Sequence, residues 1–212
     1  CIRDRLNRKT LLASLIIGAS FTMVACDDNA SSRDPIQVQK TLSSDSSKSV
    51  KKQTALSSLA ELQQKTSSFI TGPRLREEGA YLYVFFDPQC PHCNKLWQNA
   101  QNDLVKDVSI VWIPVAFIND KSLPQGATIL SSGNSRQTMA EHEKSMSEGG
   151  TGIAVSSVIN PAGLEKIRTN NSIFESIGGN SVPLVFKASS KGEILKVSGE
   201  LTPEFIKDFA SK

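Results

Sequence analysis

The stretch Tyr81–Trp97, YLYVFFDPQCPHCNKLW, decides the fold that this sequence predicts. Its first six residues, 81–86, form an aromatic and β-branched run that is long enough for a buried strand. Asp87-Pro88 ends that strand. Pro91 suits the first turn of a helix, because the N–H that proline lacks would have no partner there. The stretch therefore predicts a strand, a turn and a helix that begins beside two cysteines.

Cys90 and Cys93 are spaced to form a small disulfide ring at the start of this helix. We expect the sulfur of Cys90 to face solvent and that of Cys93 to be shielded beneath it. Unpaired N–H groups at a helix start favour an anion, and His92 adds to this when protonated or by donating a hydrogen bond. The pKa of Cys90 is therefore predicted to fall from about 8.5 to roughly 3.5–7.5. The spacing favours thiol-disulfide exchange through a mixed disulfide, with Cys93 resolving the intermediate.

Metal binding is the main alternative for such a pair. Structural zinc needs four ligands, and the sequence offers no second cysteine pair and only one further histidine, His142, which we expect at the surface. Thiolates also suit copper, and Met139 or Met146 could assist, so a copper-handling thiol protein stays open as an alternative. These methionines are more simply explained as packing residues. We predict no metal and no cofactor.

The rest of the domain alternates strands and helices, which favours an α/β fold. Residues 108–116 predict a strand, in which Pro114 implies a bulge or an edge. Two further strands and a hairpin turn are predicted from residue 183 to 198. Thr202 and Pro203 predict a helix start, with Phe205, Ile206 and Phe209 as its buried stripe. The remaining helices are predicted over 124–148, as an insertion, and over 161–177.

The N-terminal residues predict export rather than fold. A basic start and the apolar run 11–25 have the layout of a signal peptide, so we assign residues 1–26 to it. Met23-Val24-Ala25-Cys26 resembles a lipobox, which implies that Cys26 is lipidated and that the protein is tied to a membrane and faces the periplasm. Asp27 and Asp28 resemble a signal for retention at the inner membrane. Residues 27–53 are rich in Ser, Asp and Lys and predict a flexible tether. Residues 54–70 predict one helix within a linker over 54–78, followed by the catalytic domain at 79–212.

The charge of the chain excludes a nucleic-acid partner. Its formal net charge of +3 lies within the first 25 residues, and the remainder carries 20 basic and 20 acidic side chains. Binding to phosphates needs a basic face, which a neutral domain does not supply.

The stretch Tyr83–Trp97 resembles the catalytic domain of the periplasmic DsbC/DsbG family, with DsbG the nearer branch. Further points of resemblance are Ala127-Thr128-Ile129-Leu130, Gly149-Gly150 and the Val182-Pro183 loop. The resemblance implies a thioredoxin-like fold with a helical insertion. It also implies that Cys90 is the nucleophile, Cys93 the resolving thiol and Pro183 a cis-proline, with Val182 offering backbone hydrogen bonds to bound peptide.

Two features depart from that family. Where the family carries an N-terminal dimerisation domain, only about 45 residues, mostly tether, separate Cys26 from the catalytic domain, which argues against dimeric isomerase behaviour. The pairs Pro91-His92 and Val182-Pro183 look like those of DsbA, a disulfide donor. In addition, Val84 stands where thioredoxin and DsbA have a buried acid. Proton transfer at Cys93 must then use another group or water.

The function predicted from these features is that of a thiol:disulfide interchange protein. Its expected partners are exported proteins with thiols or disulfides and a membrane redox partner, and its expected activity is isomerase, reductase or thiol oxidase. A chaperone-like envelope module that binds unfolded peptide beside Pro183 is the alternative outside redox chemistry.

Overall fold

The computed structural model describes residues 58–74, 81–155 and 160–212. Within these ranges the helices are α1 (58–65), α2 (Pro91–Ala100), α3 (Ser122–Ser131), α4 (Ser135–Ser147), α5 (Pro161–Ser176) and α6 (Pro203–Ser211). The strands are β1 (Phe69–Thr71), β2 (Leu82–Phe86), β3 (Ile110–Pro114), β4 (Leu184–Ala188) and β5 (Ile194–Ser198), and a 3-10 turn spans Asp103–Val105.

The described strands form one mixed sheet in the order β1-β3-β2-β4-β5. Strands β2 and β3 are parallel, with Val84 opposite Trp112, while β4 pairs antiparallel with β2 and with β5. Strand β1 pairs antiparallel with β3. The predicted α/β arrangement is confirmed, and α3 and α4 form the predicted helical insertion.

Strand β2 is buried on both faces, as its sequence predicts. Leu82, Val84 and Phe86 pack in one core cluster with Cys90, Cys93 and residues of α2, α4 and α6. Tyr83 and Phe85 point to the opposite face and pack with residues of β3, β4 and α5. Because alternate residues of a strand face opposite sides, this single strand joins both cores and fixes the turn that carries the cysteines.

Three local predictions are wrong. Residues 54–70 are not one helix, since α1 ends at residue 65 and Ile70 lies in β1, where it pairs with Val111. Strand β3 is not an edge strand and is not bulged at Pro114. Pro114 is the last residue of β3 and lies beyond the end of β1, so its missing N–H interrupts no pairing with β1. Phe205 is exposed, while Ile206 and Phe209 alone form the buried stripe of α6.

The remaining N-terminal predictions lie outside the described residues. They are the signal peptide at 1–26, lipidation at Cys26 and the tether at 27–53. Over the described ranges, no helix combines the length and the apolar character that crossing a membrane requires.

Candidate active site

Cys90 and Cys93 lie at the N-terminal end of α2. Cys90 is the cap residue, with extended backbone angles, and Pro91 occupies the first helical position, as predicted. The N–H groups of Cys93 and Asn94 donate to the carbonyl of Cys90 over 3.0 and 3.1 Å. Both cysteines are free thiols. The helix start therefore carries the first sulfur, and the second lies one turn further along.

The sulfur of Cys90 is less open to solvent than the sequence predicts. Cys90 is 4% exposed and Cys93 is 0% exposed. The loop before β4 explains the difference, because the carbonyl oxygen of Val182 lies 3.5 Å from Cys90 Sγ. The Val182-Pro183 peptide bond is cis. The cis-proline loop therefore lies directly against the sulfur of Cys90.

The two thiols have opposite acidities. The pKa of Cys90 is lowered to about 6, chiefly because the thiol of Cys93 donates a hydrogen bond to its sulfur, with the backbone N–H groups of Cys93 and His92 adding to the effect. The pKa of Cys93 is raised well above 9.0, because the side chain is buried and its proton is held towards Cys90. Near neutral pH one sulfur is therefore an anion and the other a thiol.

The imidazole of His92 is exposed and lies beside Glu200, with Nδ1 3.9 Å from the carboxylate. The backbone N–H of His92 acts on Cys90. The role predicted for the imidazole itself stays a prediction.

Asp87 organises the turn in front of the cysteines. Its carboxylate is 0% exposed and accepts hydrogen bonds from the N–H groups of Gln89, Phe117 and Ile118 and from the hydroxyl of Ser122, at 2.6–3.0 Å. The carbonyl of Asp87 also accepts from the N–H of Cys90 over 3.0 Å. Asp87 therefore ties the cysteine turn to the loop after β3.

His142 is buried, so the prediction that it lies at the surface is wrong. Its Nε2 lies 2.7 Å from the carbonyl oxygen of Pro88, and its Nδ1 accepts from the N–H of Ile153 over 3.2 Å. Since Nδ1 accepts, the proton is on Nε2 and the ring is neutral. Burial also lowers the pKa of His142. This histidine supports the residues just before Cys90.

Glu143, the next residue of α4, was missed as a site residue by the sequence analysis. It is 2% exposed, and its Oε2 accepts a hydrogen bond from the side-chain amide of Asn94, which also donates to the carbonyl of Glu143. Burial raises the pKa of Glu143 to about 8. A signal was present, since Met139, His142, Glu143 and Met146 recur at helical spacing and predict one buried face.

The methionines and the histidine named for metal binding all lie in α4. Met139 is part of the core around Cys93, and Met146 Sδ lies 3.8 Å from the side-chain amide of Gln89. Among the described residues, no group of three or more His, Cys, Asp or Glu side chains could hold a metal ion.

The chain is 27% identical over 126 residues to the thiol:disulfide interchange protein DsbG of Pseudomonas aeruginosa, and 27% identical over 120 residues to DsbG of Escherichia coli. In sequence, this chain is therefore similar to part of DsbG. The matches cover 58% and 56% of this chain and 48% and 47% of those proteins, so this chain spans about half the length of the curated relatives it matches. No protein-family model matches it.

Comparison with solved structures shows that this chain has the thioredoxin-like fold. A periplasmic thioredoxin-like protein from Salmonella enterica serovar Typhimurium superposes with a TM-score of 0.57 at 19% identity. The superposition covers 72% of this chain and 95% of the Salmonella chain. The predicted fold class is thus confirmed.

Proposed function

We propose that this protein is a thiol:disulfide oxidoreductase that acts on exported proteins through Cys90 and Cys93. The observation that carries the proposal is the contrast between the two sulfurs. Cys90 has a pKa of about 6, so about ten thiolates are present for each thiol at pH 7, while Cys93 keeps its proton. The thiolate is the nucleophile of disulfide exchange, and a low pKa also makes it a good leaving group.

The proposed reaction passes through a mixed disulfide at Cys90. When the pair is oxidised, a substrate thiolate attacks Cys90 Sγ, the bond to Cys93 breaks, and Cys93 leaves with the electron pair and takes up a proton. A second substrate thiolate then attacks the substrate sulfur, and Cys90 leaves as a thiolate. The substrate loses two electrons, and the cysteine pair gains them. The reverse sequence reduces a substrate disulfide.

The low pKa of Cys90 favours the first direction, donation of a disulfide. Ionisation stabilises the reduced pair, so the disulfide becomes a stronger oxidant. Isomerase and reductase activity use the same sulfurs in reverse and remain within the proposal.

Val182 and Pro183 are proposed to hold the substrate chain. The carbonyl of Val182 lies at hydrogen-bonding distance from Cys90 Sγ. An extended peptide that places its own sulfur on Cys90 can therefore donate an N–H to that carbonyl. Phe117 and Ile118, which are exposed and are held to Asp87 through their N–H groups, offer apolar contacts nearby.

The test is disulfide transfer to a reduced, unfolded polypeptide that contains cysteines. The protein and its variants are prepared with Cys1→Ser and Cys26→Ser, so that Cys90 and Cys93 are the only cysteines that can react. We expect the wild-type pair to oxidise the polypeptide, Cys90→Ser to be inactive, and Cys93→Ser to accumulate a mixed disulfide through Cys90 when treated with glutathione disulfide. Transfer by Cys90→Ser at the wild-type rate would overturn the proposal.

A peptide-binding role is the second candidate, and the exposed apolar pair Phe117 and Ile118 favours it. The variant with both Cys90→Ser and Cys93→Ser separates binding from redox chemistry. If this variant still suppresses aggregation of the unfolded polypeptide, and Phe117→Ser with Ile118→Ser removes that effect, the binding role is supported. If the variant with Cys90→Ser and Cys93→Ser does not suppress aggregation, the peptide-binding role is excluded.

Export and anchoring complete the proposal. It assigns residues 1–26 to a signal peptide, Cys26 to lipidation, 27–53 to a tether, 54–78 to a linker and 79–212 to the catalytic domain. The protein would then work in the periplasm at the inner membrane and exchange electrons with a membrane redox partner. Incorporation of a fatty-acid analogue that is lost in Cys26→Ala would support the anchor, and unchanged incorporation would refute it.

A further inference from the structure

Cys93 must lose or gain a proton in every catalytic cycle, yet it is fully buried. Strand β2 supplies no acid for this step, because Val84 packs as an apolar residue in the same core cluster as Cys93. The nearby carboxylate of Asp87 already accepts four hydrogen bonds, three from the backbone and one from Ser122, so both of its oxygens are engaged away from Cys93. Another group must exchange the proton.

Glu143 has the position and the bonding that this step needs. Met139 lies one turn before it on the same face of α4 and belongs to the core cluster of Cys93. Asn94, which binds the carboxyl group, directly follows Cys93 in α2. The other carboxyl oxygen, Oε1, is buried without a hydrogen-bond partner among the described residues. A buried polar atom without a partner is costly, and a proton-exchanging role explains why it is there.

We propose that Glu143 is the acid–base group that exchanges the proton of Cys93. The inference rests on the proposed function and names the group that completes it. When a substrate thiolate opens the disulfide, Cys93 leaves as a thiolate and takes the proton of the Glu143 carboxyl group. In the other direction, the Glu143 carboxylate removes the proton of Cys93, whose thiolate attacks Cys90 Sγ in the mixed disulfide and releases the substrate as a thiolate. Because Oε1 makes no hydrogen bond within the described part of the chain, transfer uses rotation of the carboxyl group or one bridging water.

The acidity of Glu143 supports this role. Burial raises its pKa to about 8, against the opposing hydrogen bond from Asn94. An acid–base group works best when its pKa lies near the working pH, because both of its forms are then available. Glu143 and Cys93 also interact electrostatically, since a negative charge on Glu143 raises the pKa of Cys93.

The other titratable groups of this region do not offer the same proton. On α4, His142 is neutral and uses both ring nitrogens in hydrogen bonds to the backbone. The carboxylate oxygens of Asp87 already accept four hydrogen bonds, and Cys90 is the reacting thiolate. Helix α3 and strand β1, which also pack against α4, contain no titratable side chain. Helix α2 packs there too, but its other titratable side chains, His92 and Lys95, are exposed.

The first test measures how fast Cys93 resolves a glutathione mixed disulfide on Cys90. The reduced protein reacts with glutathione disulfide in a stopped-flow instrument, and the fluorescence of Trp97 and Trp112, which both pack in the core around Cys93, reports the two steps between pH 5.5 and 9. The variant is Glu143→Gln, and the matched control is Glu141→Gln, which changes an exposed carboxyl group on the same helix.

The sign of the effect separates proton exchange from a structural or electrostatic role. Loss of a proton acceptor slows resolution, and we expect about 10-fold to 100-fold at pH 7 in Glu143→Gln, with loss of the inflection near pH 8. Loss of a negative charge alone would lower the pKa of Cys93 and speed resolution. Glu141→Gln should match the wild type, and Glu143→Asp should recover part of the rate. An unchanged or faster second step in Glu143→Gln overturns the inference.

This test also distinguishes failure of the inference from failure of the proposed function. The first step, attack by Cys90, does not require Glu143 and reports the function by itself. If the wild-type protein forms no mixed disulfide, the proposed function fails. If it does, and only the second step is insensitive to Glu143, the inference alone fails.

A second measurement follows Glu143 in the wild-type protein and needs no active variant. Carbon-13 NMR of the glutamate side-chain carboxyl groups follows Glu143 in the wild-type protein, and the resonance is assigned by its absence in Glu143→Gln or by through-bond correlation. We expect it to titrate near pH 8 in the reduced protein and to shift when the pair is oxidised. Titration near pH 4.5 in both redox states overturns the inference.

Discussion

Replacing Cys93 by alanine should raise the pKa of Cys90, whereas replacing it by serine should not. The largest cause of the low Cys90 pKa is the hydrogen bond that the thiol of Cys93 donates. Alanine removes this donor, while serine keeps a hydroxyl donor at the same position. The N–H groups of His92 and Cys93 remain in both variants, so neither variant should return Cys90 to the behaviour of a free cysteine.

The size of the effect follows from the acidity of the wild-type thiol. The fall from 9.0 to about 6 corresponds to about 4 kcal/mol of preference for the thiolate. One hydrogen bond to a charged group contributes about 1.5–3 kcal/mol, which equals about one to two pH units. We therefore expect a pKa of about 7 to 8 for Cys90 in Cys93→Ala, and a value close to the wild type in Cys93→Ser.

The assay is the rate of alkylation of Cys90 by iodoacetamide between pH 4 and 10, in the Cys1→Ser and Cys26→Ser background. Thiolate absorbance near 240 nm gives an independent midpoint. Identical midpoints in the alanine and serine variants would refute the assignment of the Cys93 thiol as the main donor. A wild-type midpoint near 9 would refute the low pKa itself.

Three further predictions concern the groups around the cysteines. Asp87→Asn places an amide among four donors and should lower the free energy of unfolding by about 3 kcal/mol, measured by urea denaturation, and an unchanged midpoint would refute that bonding. Gly152→Ala should lower the free energy of unfolding by about 2 kcal/mol more than Gly149→Ala does in the same assay. Both glycines have φ near +80°, but only at Gly152 would the new Cβ meet the ring of His142, so equal losses would contradict this contact. Because the pKa of Glu143 is raised from 4.5 to about 8, its stability contribution is present below pH 4.5 and lost as the pH rises through 8. The free energy of unfolding of Glu143→Gln should therefore rise by up to about 5 kcal/mol relative to that of the wild type as the pH increases from 4 to 9. If the difference in stability between the two proteins does not depend on pH, Glu143 is not a buried neutral acid.

The sequence predicted the elements whose signals are local. The uniform apolar run of β2 and the proline at the start of α2 identify a buried strand and a helix start without knowledge of their neighbours. The hairpin of β4 and β5 and the cap at Thr202 are equally local. The errors arose where the outcome depends on distant partners. Ile70 has the spacing of a helix but pairs with Val111, which is 41 positions further along the chain.

The predicted burial of polar residues failed for the same reason. His142 lies among charged residues in the sequence, which suggests an exposed position, but its neighbours Glu141 and Glu143 point to different sides of α4. Composition alone predicts that a helix with these polar residues is exposed, although it packs them against the active-site turn. The buried partners that make this possible, the carbonyl of Pro88 and the amide of Asn94, are about 50 residues away in sequence.

The central claim is that Cys90 is a thiolate near neutral pH in the native reduced protein. It is tested most directly by the midpoint potential of the Cys90–Cys93 pair, measured against glutathione from pH 5 to pH 8. Each proton taken up on reduction contributes about 30 mV per pH unit to the slope of a two-electron couple. We predict a slope of about 59 mV per pH unit below pH 6 and about 30 mV above it. A slope that stays near 59 mV through pH 8 would contradict the account, because both sulfurs would then be protonated thiols.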